Sequence, residues 1–266
     1  MLEMHYDKLK DYKFENGFND DFCIIFEDKK YYFHLKFNEK YENIICFSNG
    51  AIDPSKKKPP LFQRSSWKAD FRASCLFIDD PTLHGNGLKI GWGQGTIDAF
   101  ALEKLAIIIE AITNAMNYSK EQMTFYGSSA GGYMSIYLGT LIKGTKVIVN
   151  NPQTYVLNYH EVAVNKLLET IYPNLTLDEI KEKYAYRLSL TQAFSKYKNT
   201  PKILYMQNRA CITDMKGHVD PFMKNIAKYK GIQDVNVEFY FYKHPKEGHN
   251  PLPKDQTVRM IHNFIS

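Results

Sequence analysis

Met123-Thr124-Phe125-Tyr126-Gly127-Ser128-Ser129-Ala130-Gly131-Gly132-Tyr133-Met134-Ser135-Ile136 is the stretch on which the reading of the chain turns. Met123–Tyr126 is an apolar, aromatic run of strand type, and from Gly131 a helical pattern opens that continues to Ile142. Between them stands Gly127-Ser128-Ser129-Ala130-Gly131, a Gly-x-Ser-x-Gly pentapeptide. Such a pentapeptide carries meaning only where a strand leads in and a helix leads out, because the sharp turn between them exposes the central hydroxyl. Both flanks are present. The glycines serve a steric end, since a tight elbow leaves no room for Cβ atoms beside a nucleophile, and Gly132 allows close helix packing. Ser129 is therefore the candidate nucleophile, and Ser128 should point elsewhere.

Outward from this elbow, strand-type runs alternate with helical patterns. Phe22–Glu27 and Tyr31–Phe37 flank the polar Asp28-Lys29-Lys30 and read as an antiparallel hairpin. Asn43–Ser48, Ala73–Ile78, Lys146–Val149, Lys202–Met206 and Val235–Tyr242 read as buried strands. Helical periodicity covers Ile97–Met116, His160–Ile171, Pro221–Tyr229 and Asp255–Ile265. The alternation predicts a mostly parallel sheet covered on both faces, with an antiparallel start, in one α/β domain over residues 1–266. Two segments interrupt it: the loop Gly50–Ser66, and Pro152–Thr200, several short helices with a Thr176-to-Glu179 capping box. Insertions placed after strands often cover a site, so 152–200 is expected to be lid-like.

A serine nucleophile needs a base, and a sheet of this kind supplies it from a loop after the last strand, with an acid after the strand before. His249, in Glu247-Gly248-His249-Asn250-Pro251, has the reach for that role; His244 sits at the strand end, and His218 reads as a polar loop residue or a substrate contact. His5, His34, His84, His160 and His262 read as surface or packing residues. Two aspartates follow Lys202–Met206. Asp220-Pro221 already has a structural explanation as helix N-cap and first helical residue, so Asp214 is preferred as the acid that orients His249. For the oxyanion, Ala130 would supply one N–H and the Asn49-Gly50-Ala51 turn a second, from Gly50 or Ala51.

Composition sets the outer bounds. The 266 residues are 44% hydrophobic and 24% charged, with 15 Gly, 11 Pro and 4 Cys, so disordered, collagen-like and disulfide-scaffold readings fall away. The net charge of +5 favours anionic ligands without implying nucleic acid. Cys23, Cys46, Cys75 and Cys211 are widely spaced, without metal-ligand or Cys-x-x-Cys spacing, and read as reduced thiols. Neither a signal peptide nor a membrane span is visible, and a cytoplasmic, metal-free protein is expected. Gly85, Gly87 and Gly91 miss dinucleotide-fingerprint spacing; Gly91-Trp92-Gly93-Gln94-Gly95 is expected to shape a loop at the pocket rim or cap the next helix. Arg64 and Trp67 could hold an acidic or sugar ligand by charge and stacking, and Lys56-Lys57-Lys58 could face a phosphate.

At these residues the sequence resembles the α/β-hydrolase superfamily, whose triad order is Ser, Asp, His. More narrowly it resembles hydrolase-type proteins of capsular polysaccharide biosynthesis, some of them O-acetyltransferases. The tags are Gly127–Gly132, Asn151-Pro152-Gln153, Phe62-Gln63-Arg64, Gln207-Asn208, His218-Val219 and Pro221-Phe222. The resemblance implies Ser129, Asp214 and His249 as nucleophile, acid and base. It also implies an oligosaccharide or polysaccharide substrate, with acetyl-CoA as co-substrate if the enzyme is a transferase and no required cofactor if it is an esterase.

Overall fold

β-branched and aromatic runs too apolar to face water on either side become central strands, and the helical patterns between them cover both faces of the sheet. The computed structural model describes residues 1–228 and 235–265. Its strands are β1 (Leu2–His5), β2 (Asn19–Phe26), β3 (Lys29–Lys36), β4 (Ile44–Ser48), β5 (Ser74–Ile78), β6 (Met123–Ser129), β7 (Lys146–Pro152), β8 (Lys202–Asn208) and β9 (Val237–Tyr242). They form one sheet in the order β1-β2-β3-β5-β4-β6-β7-β8-β9. β2 and β3 are the expected hairpin, β3 also runs antiparallel to β5, and the other pairs are parallel. Every residue of β4 and β5 is buried, which is why their sequences carry no polar alternation.

Successive side chains of the central strands enter two cores. Ile44, Cys46, Phe125, Val147 and Tyr205 belong to the larger, which the helices Ala101–Ala115 and Ala130–Leu141 cover. Ile45, Phe47, Tyr126, Ile148 and Met206 belong to the smaller, under the helix Lys254–Ile265. The four cysteines are buried and none forms a disulfide. The segment 152–200 folds as three helices, Glu161–Ile171, Leu177–Leu188 and Leu190–Tyr197. Tyr133 and Tyr137, on the helix that leaves the elbow, donate their hydroxyls to the carbonyls of Arg187 and Tyr186 and so tie this segment down.

Three expectations need correction. β1 is not anticipated, because four residues of alternating exposure carry too little pattern to stand out. The helix expected from Ile97 begins at Ala101, since Thr96 to Phe100 is spent on a turn closed by Thr96 N–H to Ala99 C=O. Asp220 is no N-cap: its backbone is helical (φ −59°, ψ −46°) and follows a π-helical turn, Met215–Val219, that leads into the helix Asp220–Ala227. Pro221 has no N–H for the carbonyl one turn back, that of Gly217, which instead accepts from Asn158 Nδ2 at 2.7 Å. Tyr229, the expected end of that helix, lies outside the described residues.

Candidate active site

Ser129 ends β6 and immediately precedes the helix Ala130–Leu141, with φ 54° and ψ −127°. A non-glycine residue there stores about 1–3 kcal/mol of strain, and the surroundings must hold it. They do so by close approach. A Cβ on Gly127 would stand 2.1 Å from the Gly131 carbonyl oxygen, one on Gly131 2.6 Å from that of Ser48, and one on Gly132 2.6 Å from Pro152 Cβ. The β6–β7 register slips at Ser128/Ser129, so that Ser129 lies opposite Pro152, and Gln153 N–H donates to the Ser129 carbonyl at 3.1 Å. The Ser129 hydroxyl receives Gln153 Nε2 at 3.2 Å. Ser128 turns away, as expected; its hydroxyl receives Arg64 Nη2 at 2.6 Å.

After β8 a single helical turn, Ile212–Asp214, presents Asp214 to His249 across 2.7 Å between Oδ2 and Nδ1. Burial, the largest influence on this carboxyl, opposes ionisation. The bond to His249 and its charge, helped by Cys211 and His218, outweigh it and hold Asp214 below the usual carboxylate range. With Nδ1 facing Asp214, His249 Nε2 is left buried and without a hydrogen bond, the atom able to take a proton. Asp220 is exposed. Of the two aspartates, Asp214 is the one that pairs with His249. Cys211, Asp214 and His249 bring donor atoms within 4.8 Å of one another, but the facing atoms of Asp214 and His249 are already spent on each other.

The loop carrying His249 is gripped by three fully buried asparagines to which no sequence motif assigns a role. Asn151 Nδ2 donates to the carbonyls of His249 (3.0 Å) and Asn250 (2.8 Å). Asn208 donates to the carbonyls of His244 and Gly248, and accepts from the N–H groups of His244 and Ala210. Asn150 accepts from Leu252 N–H at 2.6 Å. Asn151 precedes Pro152, the residue opposite Ser129, so the clamp ties the His249 loop to the strand beside Ser129. The tags Asn151-Pro152-Gln153 and Gln207-Asn208 mark these positions in the sequence.

On the other side of the elbow, Gln63 brackets the Asn49–Ala51 turn. Its Oε1 accepts from Gly50 N–H at 2.9 Å and its Nε2 donates to the Ala51 carbonyl at 3.0 Å. Gly50 N–H is thereby engaged, so of the two turn residues expected to offer an N–H to an oxyanion, Gly50 already has its donor occupied. Gly50 also has room for a Cβ, 3.4 Å from the Ser128 carbonyl oxygen, so its glycine character is not what shapes the turn. Ala130 opens a twelve-residue helix whose first amides lack intrahelical partners. Arg64 spans Trp67 and Tyr126, its guanidinium carbon 5.5 and 5.4 Å from the ring centres, and stands beside the elbow through Ser128. His218 is buried and accepts Thr154 N–H on Nδ1. Burial drives its pKa down to about 4 against the pull of Asp214, so it is a neutral neighbour of the pair.

The sequence matches no protein-family model and no curated protein. Solved structures do match. A capsule O-acetyltransferase of Neisseria meningitidis serogroup A, in complex with CoA, superposes with a TM-score of 0.63 at 13% identity, over 97% of this chain and 100% of that one. A fungal esterase from Rhizomucor miehei gives 0.63 at 13%, over 97% of this chain and 86% of the esterase. The chain has an α/β-hydrolase fold. An esterase/lipase from an uncultured bacterium shares this hydrolase fold at 12% identity and a TM-score of 0.56, over 98% of this chain and 88% of that one. Among the described residues no helix is long and apolar enough to cross a membrane.

Proposed function

We propose that this α/β-hydrolase-fold protein is a serine acyl-transfer enzyme working through an acyl-serine, an esterase for O-acyl esters, chiefly O-acetyl, of a surface polysaccharide or related carbohydrate. The observation that carries the reading is the Asp214–His249 pair with its buried, unbonded Nε2, on a sheet whose central strand ends in the strained Ser129. His249 Nε2 takes the Ser129 proton as Oγ attacks the ester carbonyl, and Asp214 stabilises the imidazolium that forms. The N–H groups of Ala130 and Ala51 receive the oxyanion. Collapse expels the sugar hydroxyl, which takes its proton from His249; water then enters by the same route and releases the acid.

The CoA-bound neighbour favours a second reading, in which acetyl-CoA acylates Ser129 and a sugar hydroxyl replaces water as acceptor. Lys56 and Lys57 line a cavity of about 270 Å³ that also includes Ala51 and Gln63, a position suited to a phosphate of such a co-substrate. In either reading residues 1–266 act as a single cytoplasmic domain. Segment 152–200 serves as the lid, and Arg64, Trp67 and His218 contact substrate. A fluorophosphonate should label the wild type and spare Ser129→Ala; equal labelling would remove the nucleophile. Incubation with acetyl-CoA, with and without oligosaccharide acceptors, separates the two readings: acceptor-dependent release of CoA identifies a transferase, and hydrolysis of an acetylated oligosaccharide without CoA an esterase.

A further inference from the structure

Gln153 stands apart from the machinery so far assigned, yet its side chain touches the nucleophilic atom. The carboxamide is fully buried. Trp92 Nε1, which can only donate, faces its oxygen. That contact settles which way the amide points: Oε1 lies toward Trp92, and Nε2 toward Ser129 Oγ at 3.2 Å. Trp92 is itself wholly buried and has φ 50°, a backbone value that costs energy for a tryptophan. Its flanking glycines are required by space. A Cβ on Gly91 would meet the buried Asp80 carboxylate and Thr82 at 2.6 Å, and one on Gly93 would meet the Leu102 side chain at 2.6 Å. Asp80 accepts the Gly93 N–H at 3.1 Å, and Gln94 is fixed through Nε2 to the Arg187 carbonyl. The glycine-rich stretch thus drives an indole N–H into the core beside the elbow, and its Gly93 and Gln94 carbonyls accept the N–H groups of Leu102 and Ala101, capping the next helix as expected.

We propose, building on the reading of Ser129 as nucleophile, that Gln153 is a catalytic residue whose N–H stabilises charge on Ser129 Oγ, and that Trp92 is the positioning residue that locks its orientation. A donor held against Oγ leaves the hydroxyl proton free to point at the base and lowers the cost of its removal. As the Oγ–carbon bond forms, the proton passes to His249 Nε2 and the carbonyl electron pair moves onto the oxyanion. In deacylation the acceptor gives its proton to His249 as its oxygen bonds to the carbonyl carbon; when that intermediate collapses the carbon–Oγ bond breaks, and the pair returning to Oγ is met by the Gln153 N–H until His249 reprotonates it. Gln153 keeps both its protons throughout. Because the ester Oγ of the acyl-enzyme is a poor acceptor and the departing Oγ a strong one, deacylation depends on the contact at least as much as acylation does.

The test uses a fluorophosphonate for attack and p-nitrophenyl acetate for the full cycle, with acid quench and intact mass to follow the acetyl-enzyme. Gln153→Met is expected to lower both the labelling rate and the decay of acetyl-enzyme about 10- to 100-fold, the range for a hydrogen bond to a charged oxygen. Trp92→Phe, which keeps the amide but frees it to turn, is expected to lower both about 3- to 10-fold and so carries the test if Gln153→Met does not fold. Wild-type rates in a folded Gln153→Met, or in Trp92→Phe, would overturn the proposal. Ser129→Ala separates the two layers. If it labels like the wild type, the nucleophile itself is misassigned; if it is silent while the Gln153 and Trp92 variants match the wild type, only the role of Gln153 falls.

Discussion

Asp214→Asn probes the site most directly, because it changes one charge and almost no volume. The Asp214 side chain is 8% exposed and its Oδ2 lies 2.7 Å from His249 Nδ1, which puts the two charge centres about 4 Å apart when the imidazole is protonated. At an effective dielectric constant of about 20 their attraction is worth roughly 4 kcal/mol, a factor of about 10³ in rate. The amide adds a second penalty. When its NH2 turns to Nδ1, the ring must carry its proton on Nε2 and can no longer accept one from Ser129. Together these give an expected fall in kcat/KM of about 10³- to 10⁴-fold on p-nitrophenyl acetate, with thermal stability changed much less. Asp220→Asn, at an exposed position, should stay within about twofold. A loss below about tenfold at Asp214, or an equal loss at Asp220, would refute the assignment.

Buried His218 resists protonation in the fold, with a pKa of about 4 against 6.5 in the unfolded chain. The unfolded state therefore binds the extra proton, and stability is lost as pH falls through that window. From pH 8 to pH 5 the loss should be about 2 kcal/mol, and urea melts should show it missing from His218→Gln. Gly131→Ala forces a Cβ against backbone oxygens of Ser48 and Asn49, so a destabilisation of about 2–4 kcal/mol and near-loss of activity are expected; a wild-type melting temperature would contradict the close-approach account. Asn208→Ala strips three hydrogen bonds from the loop after β9 and one from Ala210 after β8, and should cost about 2–4 kcal/mol. Hydrogen exchange over residues 244–252 should rise with it, and unchanged protection would show that the loop does not depend on the clamp.

What was legible in the sequence was local or ordered along the chain. The elbow could be read because strand, small residues and helix are contiguous, and the contact between Asp214 and His249 because each lies in the loop after one of two successive strands. The asparagine clamp could not. Asn150, Asn151 and Asn208 act across roughly 40 to 100 residues of chain, and a carboxamide has no periodicity to betray its partner. Gln153 is hidden for the same reason, although it stands within the tag Asn151-Pro152-Gln153. Asp220 misled because Asp-Pro at a helix start is a sound local signal; here a helical turn already precedes it, and the proline loosens that turn into a π-helix instead of beginning a new one.

The asparagine clamp has a consequence for how the protein would respond to its surroundings. Carboxamides carry no charge and do not titrate, so the grip on the His249 loop is equally firm in acid and in base and is indifferent to ionic strength. A loop held by ion pairs would loosen at the pH where one partner discharged, and that melting would overlay the ionisation of the base. Here the two are uncoupled. A pH–rate curve should therefore report the reacting groups themselves, with no loosening of the loop laid over it.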